Sequence, residues 1–303
     1  MMTLFNVIRR DLKLFFKDRG MFFSALITPM ILLVLYATFL AKVYRESFAS
    51  ALPDVMKDIV PDSLLDGTVT SQLISALLAV SCVTVSFCAN LLMINDKSSG
   101  AIRDFTVSPV KRRTIAAGYF AASASSTLIV TFSALTACLL YLSTQGWYMS
   151  FSDVLFVILD VFLLTLFGTA ISSCVNFFLT TNGQASAVGT IVSAGYGFIC
   201  GAYMPIASFG EGLQKVLSFF PGTYGTCLIK NHMMRGVFAE MKNIGFPDEV
   251  VESIKDSIDV NIYFFGEKVA IPAMYAVTAG SVALLTALFI LFHILKKSRS
   301  TAQ

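Results

Sequence analysis

Charge is scarce in this chain. Only 14% of its 303 residues are Asp, Glu, Lys or Arg, while 56% are hydrophobic; a soluble globule carries about a quarter charged residues. The deficit is segmental, since Met21–Ala41, Thr68–Asn95, Thr114–Ser152, Val161–Gly210 and Val269–Leu295 hold no charge at all. Histidine is nearly missing too, with only His232 and His293, and no HExxH, GxSxG or GxxxxGK[ST] pattern occurs. That removes the usual sequence supports for a zinc hydrolase, a serine hydrolase and a phosphate-cradling loop. Of the six cysteines, Cys82, Cys88, Cys138, Cys174 and Cys200 lie inside uncharged stretches and no CxxC occurs. They read as small apolar residues rather than a disulfide framework, a zinc site or a redox pair. Catalysis by this polypeptide alone is not expected, nor is a metal or cofactor bound to it.

What is present is a set of long apolar runs. Val161–Gly210 has 50 positions, too many for one crossing of a hydrocarbon core about 30 Å thick at about 1.5 Å per residue. The turn signal Asn182-Gly183 divides it. The expected architecture is therefore an all-α integral membrane bundle of six spans, near 21–41, 70–94, 115–142, 154–179, 184–204 and 271–295. The first run is longer than a signal-peptide core and ends in a poor cleavage site, so it reads as a retained span. Lys and Arg set the orientation. Residues 1–20, the loop 95–114 and the C-terminal tail hold 13 of the 22 basic residues and four acids, while 42–67 and 205–268 hold nine basic residues and 13 acids. Both termini are expected in the cytoplasm of a multi-pass protein of the cell membrane.

Several local patterns add detail. Leu4, Val7, Ile8, Leu12, Phe15 and Phe16 alternate with basic positions, as in an amphipathic helix lying on the inner leaflet; a simple charged flank is the plainer reading. Small residues at four-residue spacing, Ala185, Gly189, Ser193, Gly197 and Gly201, form a ridge on the fifth span, with a shorter one at Gly118, Ala122 and Ser126. Such ridges let backbones approach closely, either inside one bundle or at a dimer interface. Leu213–Phe220 and Tyr224–Ile229, separated by Pro221-Gly222, are too short to cross twice and read as an outer re-entrant hairpin. Asp160 is an acid well inside a span that offers it no Lys or Arg. It is expected to line a polar pathway, or to reach the outer interface as a structural group. The loop 95–114 reads NDKSSGAIRDFTVSPVKRRT, a short amphipathic helix closed by Ser108-Pro109.

At this loop the chain resembles permease subunits of the type-2 ABC exporter family, which serve drug, polysaccharide and lipid export. The family's acidic residue, Gly and [ST]-Pro-[VI]-basic order is matched by Asp96, Gly100, Ile102 and Ser108-Pro109-Val110-Lys111, with Ala101 and Arg103 departing from the usual hydroxyl residue and Glu. Gly201-Ala202-Tyr203-Met204-Pro205-Ile206 and Pro221-Gly222-Thr223-Tyr224 resemble its re-entrant segment. The resemblance implies a coupling helix that docks on a separate cytoplasmic ABC ATPase, which would carry ATP and Mg. Gly100, Ile102, Arg103, Asp104, Phe105 and Pro109 are the docking residues so implied. It also implies a second permease copy or a sibling permease, with the first and fifth spans near the two-fold axis. Nucleic acid is not an expected partner. Two other classes fit the same residues, an ATPase-independent secondary transporter and a non-transporting membrane scaffold or immunity protein.

Overall fold

The computed structural model describes residues 2–51, 60–102 and 110–300. Its centre is α4 (Asp62–Ala89), where almost every residue from Thr68 to Ala89 is buried. A helix apolar on all sides has no solvent face to keep, and α4 is accordingly wrapped by its neighbours. They are α2 (Arg19–Leu35), α6 (Arg112–Gln145), α7 (Phe151–Phe178), α8 (Asn182–Ile199) and α10 (Pro221–Asn243). α2 runs without interruption through a π-turn at Tyr36–Leu40 into α3 (Ala41–Ala51). After a break at Asn90, α4 is followed by α5 (Leu91–Ser98). The remaining elements are α1 (Met2–Lys17), α9 (Glu211–Leu217), α11 (Asp248–Ser257), a hairpin of β1 (Tyr263–Phe264) and β2 (Glu267–Lys268), and α12 (Ile271–Ser300).

Among the described residues five helices are long and apolar enough to cross a membrane: Arg19–Glu46, Asp62–Ser98, Arg112–Gln145, Phe151–Phe178 and Ile271–Leu295. The turn at Asn182-Gly183 separates α7 from α8, which opens with a capping box between Thr181 and Gln184. α8 itself is not among the five. It has 18 residues and stops at Ile199, short of the expected Met204, because Gly201 adopts a left-handed backbone (φ 71°) that ends the helix. Asn182, Gln184 and four glycines also dilute its hydropathy.

The break at Pro221 falls where expected, but the helix it starts continues to Asn243 rather than ending near Ile229. α10 packs antiparallel along the first half of α7. A Cβ at Gly222 would lie 3.2 Å from the Phe167 ring, and one at Gly225 2.6 Å from Leu164. Further on, His232 reaches Asp160, Arg235 approaches Asp153 at 3.4 Å, and Gly236 sits against the Tyr148 carbonyl. The N-terminus of α10 is thus opposite Phe167, 16 positions into α7, a depth of about 24 Å along that helix.

The crossing of α4 on α7 is close and polar. A Cβ on Gly168 would stand 2.7 Å from the Cys82 carbonyl and 2.9 Å from Val83 Cα. Around it Ser86 pairs with Thr169 (3.3 Å), Thr131 with Thr165 (3.4 Å), and the Asn90 amide meets Ser172 and Ser173 while Ser123 donates to Asn90 Oδ1 (2.9 Å). Such interhelical bonds contribute about 0.6 kcal/mol each in a bilayer. Gly168→Ala should force the two backbones apart and cost about 1–3 kcal/mol. The check is the unfolding midpoint in mixed micelles, and an unchanged midpoint contradicts the close crossing.

Candidate functional site

α1, α5 and the end of α7 meet at one end of the bundle, the end that carries the excess of Lys and Arg. Val7 and Phe15 are buried on one face of α1, and that face packs on α6, where a Cβ at Gly118 would be 3.1 Å from Val7 Cβ. Gly118 of the third-span small-residue stripe therefore seats α1 of the same chain. Arg10 on α1 forms a two-pronged bond to Asp96 on α5, at 2.6 and 2.9 Å. Planar guanidinium–carboxylate pairs of this kind fix geometry as well as charge. Tyr119 on α6 donates to the same carboxylate at 2.6 Å, and Arg10 also holds Asp11 at 2.8 Å.

The next residue, Lys97, turns the other way. Its ammonium donates to the carbonyls of Asn176, Phe177 and Leu179 at 2.8, 2.8 and 3.0 Å. These carbonyls belong to the last turn and C-cap of α7, where helix geometry leaves acceptors over, and a cation there also meets the negative end of the helix dipole. Two consecutive side chains thus tie the entry of the loop 95–114 to α1 on one side and to α7 on the other. Gly100 closes α5 with φ 81°, a left-handed turn in open space that suits glycine, and Ile102 is half-buried just beyond. Arg103, Asp104, Phe105 and Pro109 lie outside the described residues.

Asp160 has partners that its own span does not supply. Its carboxylate is 1% exposed and sits 2.6 Å from Nδ1 of His232 on α10, while the Tyr275 hydroxyl of α12 donates to it at 2.5 Å. Phe156 stacks over the imidazole at 4.8 Å between ring centres. Three helices converge on one acid. Lys230, two residues before His232 and 2% exposed, donates to the carbonyls of Gly201 (2.7 Å) and Ile258 (2.9 Å). Asp259 accepts from the backbone N–H of Ile206 (2.6 Å) and Ala207 (3.2 Å). The segment between α8 and α9 is therefore pinned to α10 and to the end of α11. Farther out, Glu252 takes bonds from Lys255 (2.8 Å), Lys268 (3.0 Å) and Asn261 (3.0 Å), and the Lys255 bond leads in holding its carboxyl down to about 2.

The fifth-span ridge divides in two. Gly189 and Ser193 face a cavity of about 600 Å³ between α2 and α8, bordered also by Ile27, Ile31, Phe87 and Asn176. Gly197 is covered by the ring of Tyr203 in the same chain, and Gly201 is the left-handed turn residue. Sequence reading did not anticipate Arg10, Lys97, His232, Tyr275 or Lys230 as anchors. One signal was available: the acids Asp153 and Asp160 are matched by Arg235 and His232 in reverse order, as antiparallel helices require.

A bundle of long apolar helices with charged groups clamped at its ends is a multi-pass membrane protein. Residues 3–231 match the family model for the ABC-2 type transporter. The chain belongs to that family, and it is a transmembrane permease component of an ABC transporter. No curated protein matches it.

Asp160→Ala should destabilise the protein by about 3–5 kcal/mol, since it leaves a buried polar partner behind. Adding His232→Leu should cost far less than a second loss of that size; additive losses in mixed-micelle unfolding would refute the pairing. Asp11 supplies a pH test. Burial pushes its carboxyl up to about 6, the neighbouring Arg10 only partly opposing this, and its Oδ2 has no hydrogen-bond partner among the described residues. Because the folded state holds this proton more tightly than the unfolded chain, stability should rise as pH falls from above 6 towards 4. Asp11→Asn should be more stable than the parent at pH 7.5 by on the order of 2 kcal/mol, and this difference should vanish near pH 4. Melting curves across that range decide it.

Proposed function

We propose that the chain is the membrane half of an ATP-driven exporter, working as a dimer with two copies of a separate cytoplasmic ABC ATPase that binds ATP and Mg. The observation that carries this reading is the double clamp at Asp96 and Lys97. A loop that only joined two spans would have no need to be fastened to both an amphipathic helix and the end of another span. Fastened so, it can pass a push from below to α1 and α7. Gly100, Ile102, Arg103, Asp104, Phe105 and Pro109 form the docking segment in this reading.

The basic end faces the cytoplasm of the cell membrane, with both termini there and α1 lying on the inner leaflet. α8 is the fifth of six spans. It is short because α9 and the start of α10 re-enter the outer leaflet and complete the crossing; the position of Pro221 opposite Phe167 supports this. Gly189 and Ser193 face the second copy or a sibling permease across the α2–α8 cavity, where Ile27, Met30, Ile31 and Val34 of α2 are also exposed. That cavity, apolar with a few hydroxyls, is the route for an amphipathic cargo. Asp160 serves beside the route by holding α10 in place.

Phe105→Asp should leave membrane insertion intact while the ATPase no longer co-purifies with the chain from mild detergent. Unchanged co-purification, with the variant folded, rejects this loop as the docking segment.

A further inference from the structure

The clamp uses only Arg10 of a basic groove on α1. Asn6, Arg9, Arg10, Lys13, Leu14 and Lys17 border a shallow depression of about 490 Å³. Arg9, Lys13 and Lys17 are exposed, four residues apart on one face, and none of the three has an acidic partner among the described residues. The acids nearest in sequence and space are already engaged, Asp11 and Asp96 by Arg10 and Asp18 as the N-cap of α2. Phe5, beside this face, is 63% exposed and Phe16 39%. A groove made only of cations would suit any phosphate. One flanked by outward-facing phenylalanines suits a phosphate that arrives attached to acyl chains.

We propose that this groove is a binding site for the phosphate headgroup of an anionic phospholipid of the leaflet on which α1 lies. Arg9 offers a planar fork to the phosphate oxygens, Lys13 supplies a second charge about 6 Å further along the helix, and Asn6 adds a neutral amide donor. Phe5 and Phe16 enter the acyl region beside the headgroup. The site rests on the interfacial reading of α1 and goes beyond it, since general adsorption needs no groove and no choice among lipids.

The test uses the full chain in nanodiscs, carrying Phe5→Trp in a Trp147→Phe background so that one indole reports on α1. Quenching by brominated phosphatidylglycerol is compared with quenching by brominated phosphatidylcholine at equal mole fraction. The expected result is several-fold stronger quenching by the anionic lipid, abolished by Arg9→Gln/Lys13→Gln/Lys17→Gln and retained by Arg112→Gln/Arg113→Gln. Each cation near an anionic surface is worth roughly fivefold in local lipid enrichment, so the triple variant should remove the whole preference. Equal quenching by both lipids overturns the headgroup site and leaves the interfacial helix standing. No quenching by either overturns both. A preference that survives the triple variant, or is lost equally in the Arg112/Arg113 variant, overturns the assignment to this groove. Loss of the preference on adding millimolar inorganic phosphate shows a free-phosphate site and overturns the lipid assignment.

Discussion

Everything in this protein hangs on α4 and its close crossing with α7. In hydrocarbon there is no water to force helices together, so association depends on backbones that can approach and on polar groups that find each other. Gly168 meets the first need and Ser86, Asn90, Thr165, Thr169, Ser172 and Ser173 meet the second. The small hydroxyls do so without opening space, because Thr84, Thr131 and Thr169 also donate to carbonyls one turn back in their own helices. A core built this way pairs its polar atoms at the α4–α7 crossing, although Ser81 and Thr127 nearby stay without a hydrogen-bond partner among the described residues. α2 and α8 stand apart from this crossing and border the open cavity.

The second layer of organisation is charge used as fastening. A cation inside a membrane protein is costly unless it finds polar partners. Lys97 and Lys230 meet that demand in the same manner, by donating to main-chain carbonyls at places where helices end. Lys97 takes the carbonyls freed at the end of α7, and Lys230 those freed where α8 stops and where α11 turns. Each ammonium thus brings a donor to carbonyls at helix ends, and each joins elements far apart in the chain. Asp96 and Asp160 do the converse, each collecting a cation or imidazole and a tyrosine hydroxyl from two other helices.

Hydropathy made much of the bundle legible, since five of the expected runs coincide with helices long and apolar enough to span. It failed where the physics is not hydropathic. α8 was overextended because its end is set by the left-handed turn at Gly201, which leaves no mark in an apolar pattern. α10 was cut short because Lys230, His232 and Arg235 made it read as exposed, although two of the three are buried against acceptors supplied by distant segments. The small-residue ridge was visible as a ridge, but what packs on each glycine depends on a neighbour, and Gly197 receives Tyr203 from its own chain. Asp160 stands out in the sequence as an acid inside an apolar run. Its partner was missed because it was sought within a span, and it comes from a helix outside the predicted ones.

These fastenings join the two ends of the molecule through one rod. α7 is a single helix of 28 residues, held at its last turn by Lys97 and along its first half by α10. α10 in turn begins against α8, with Gly222 seated between Phe167 and the Tyr196 hydroxyl, and α8 forms one wall of the α2–α8 cavity. A packed helix is stiff along its axis and cannot absorb a shift at one end by local repacking. A displacement of the loop entry at Asp96 and Lys97 therefore has a contiguous path, through α7 and the Asp160–His232 contact, to the wall of that cavity. The same displacement reaches α1 directly through Arg10, so the basic end and the cavity wall are linked by contacts that lie within this one chain.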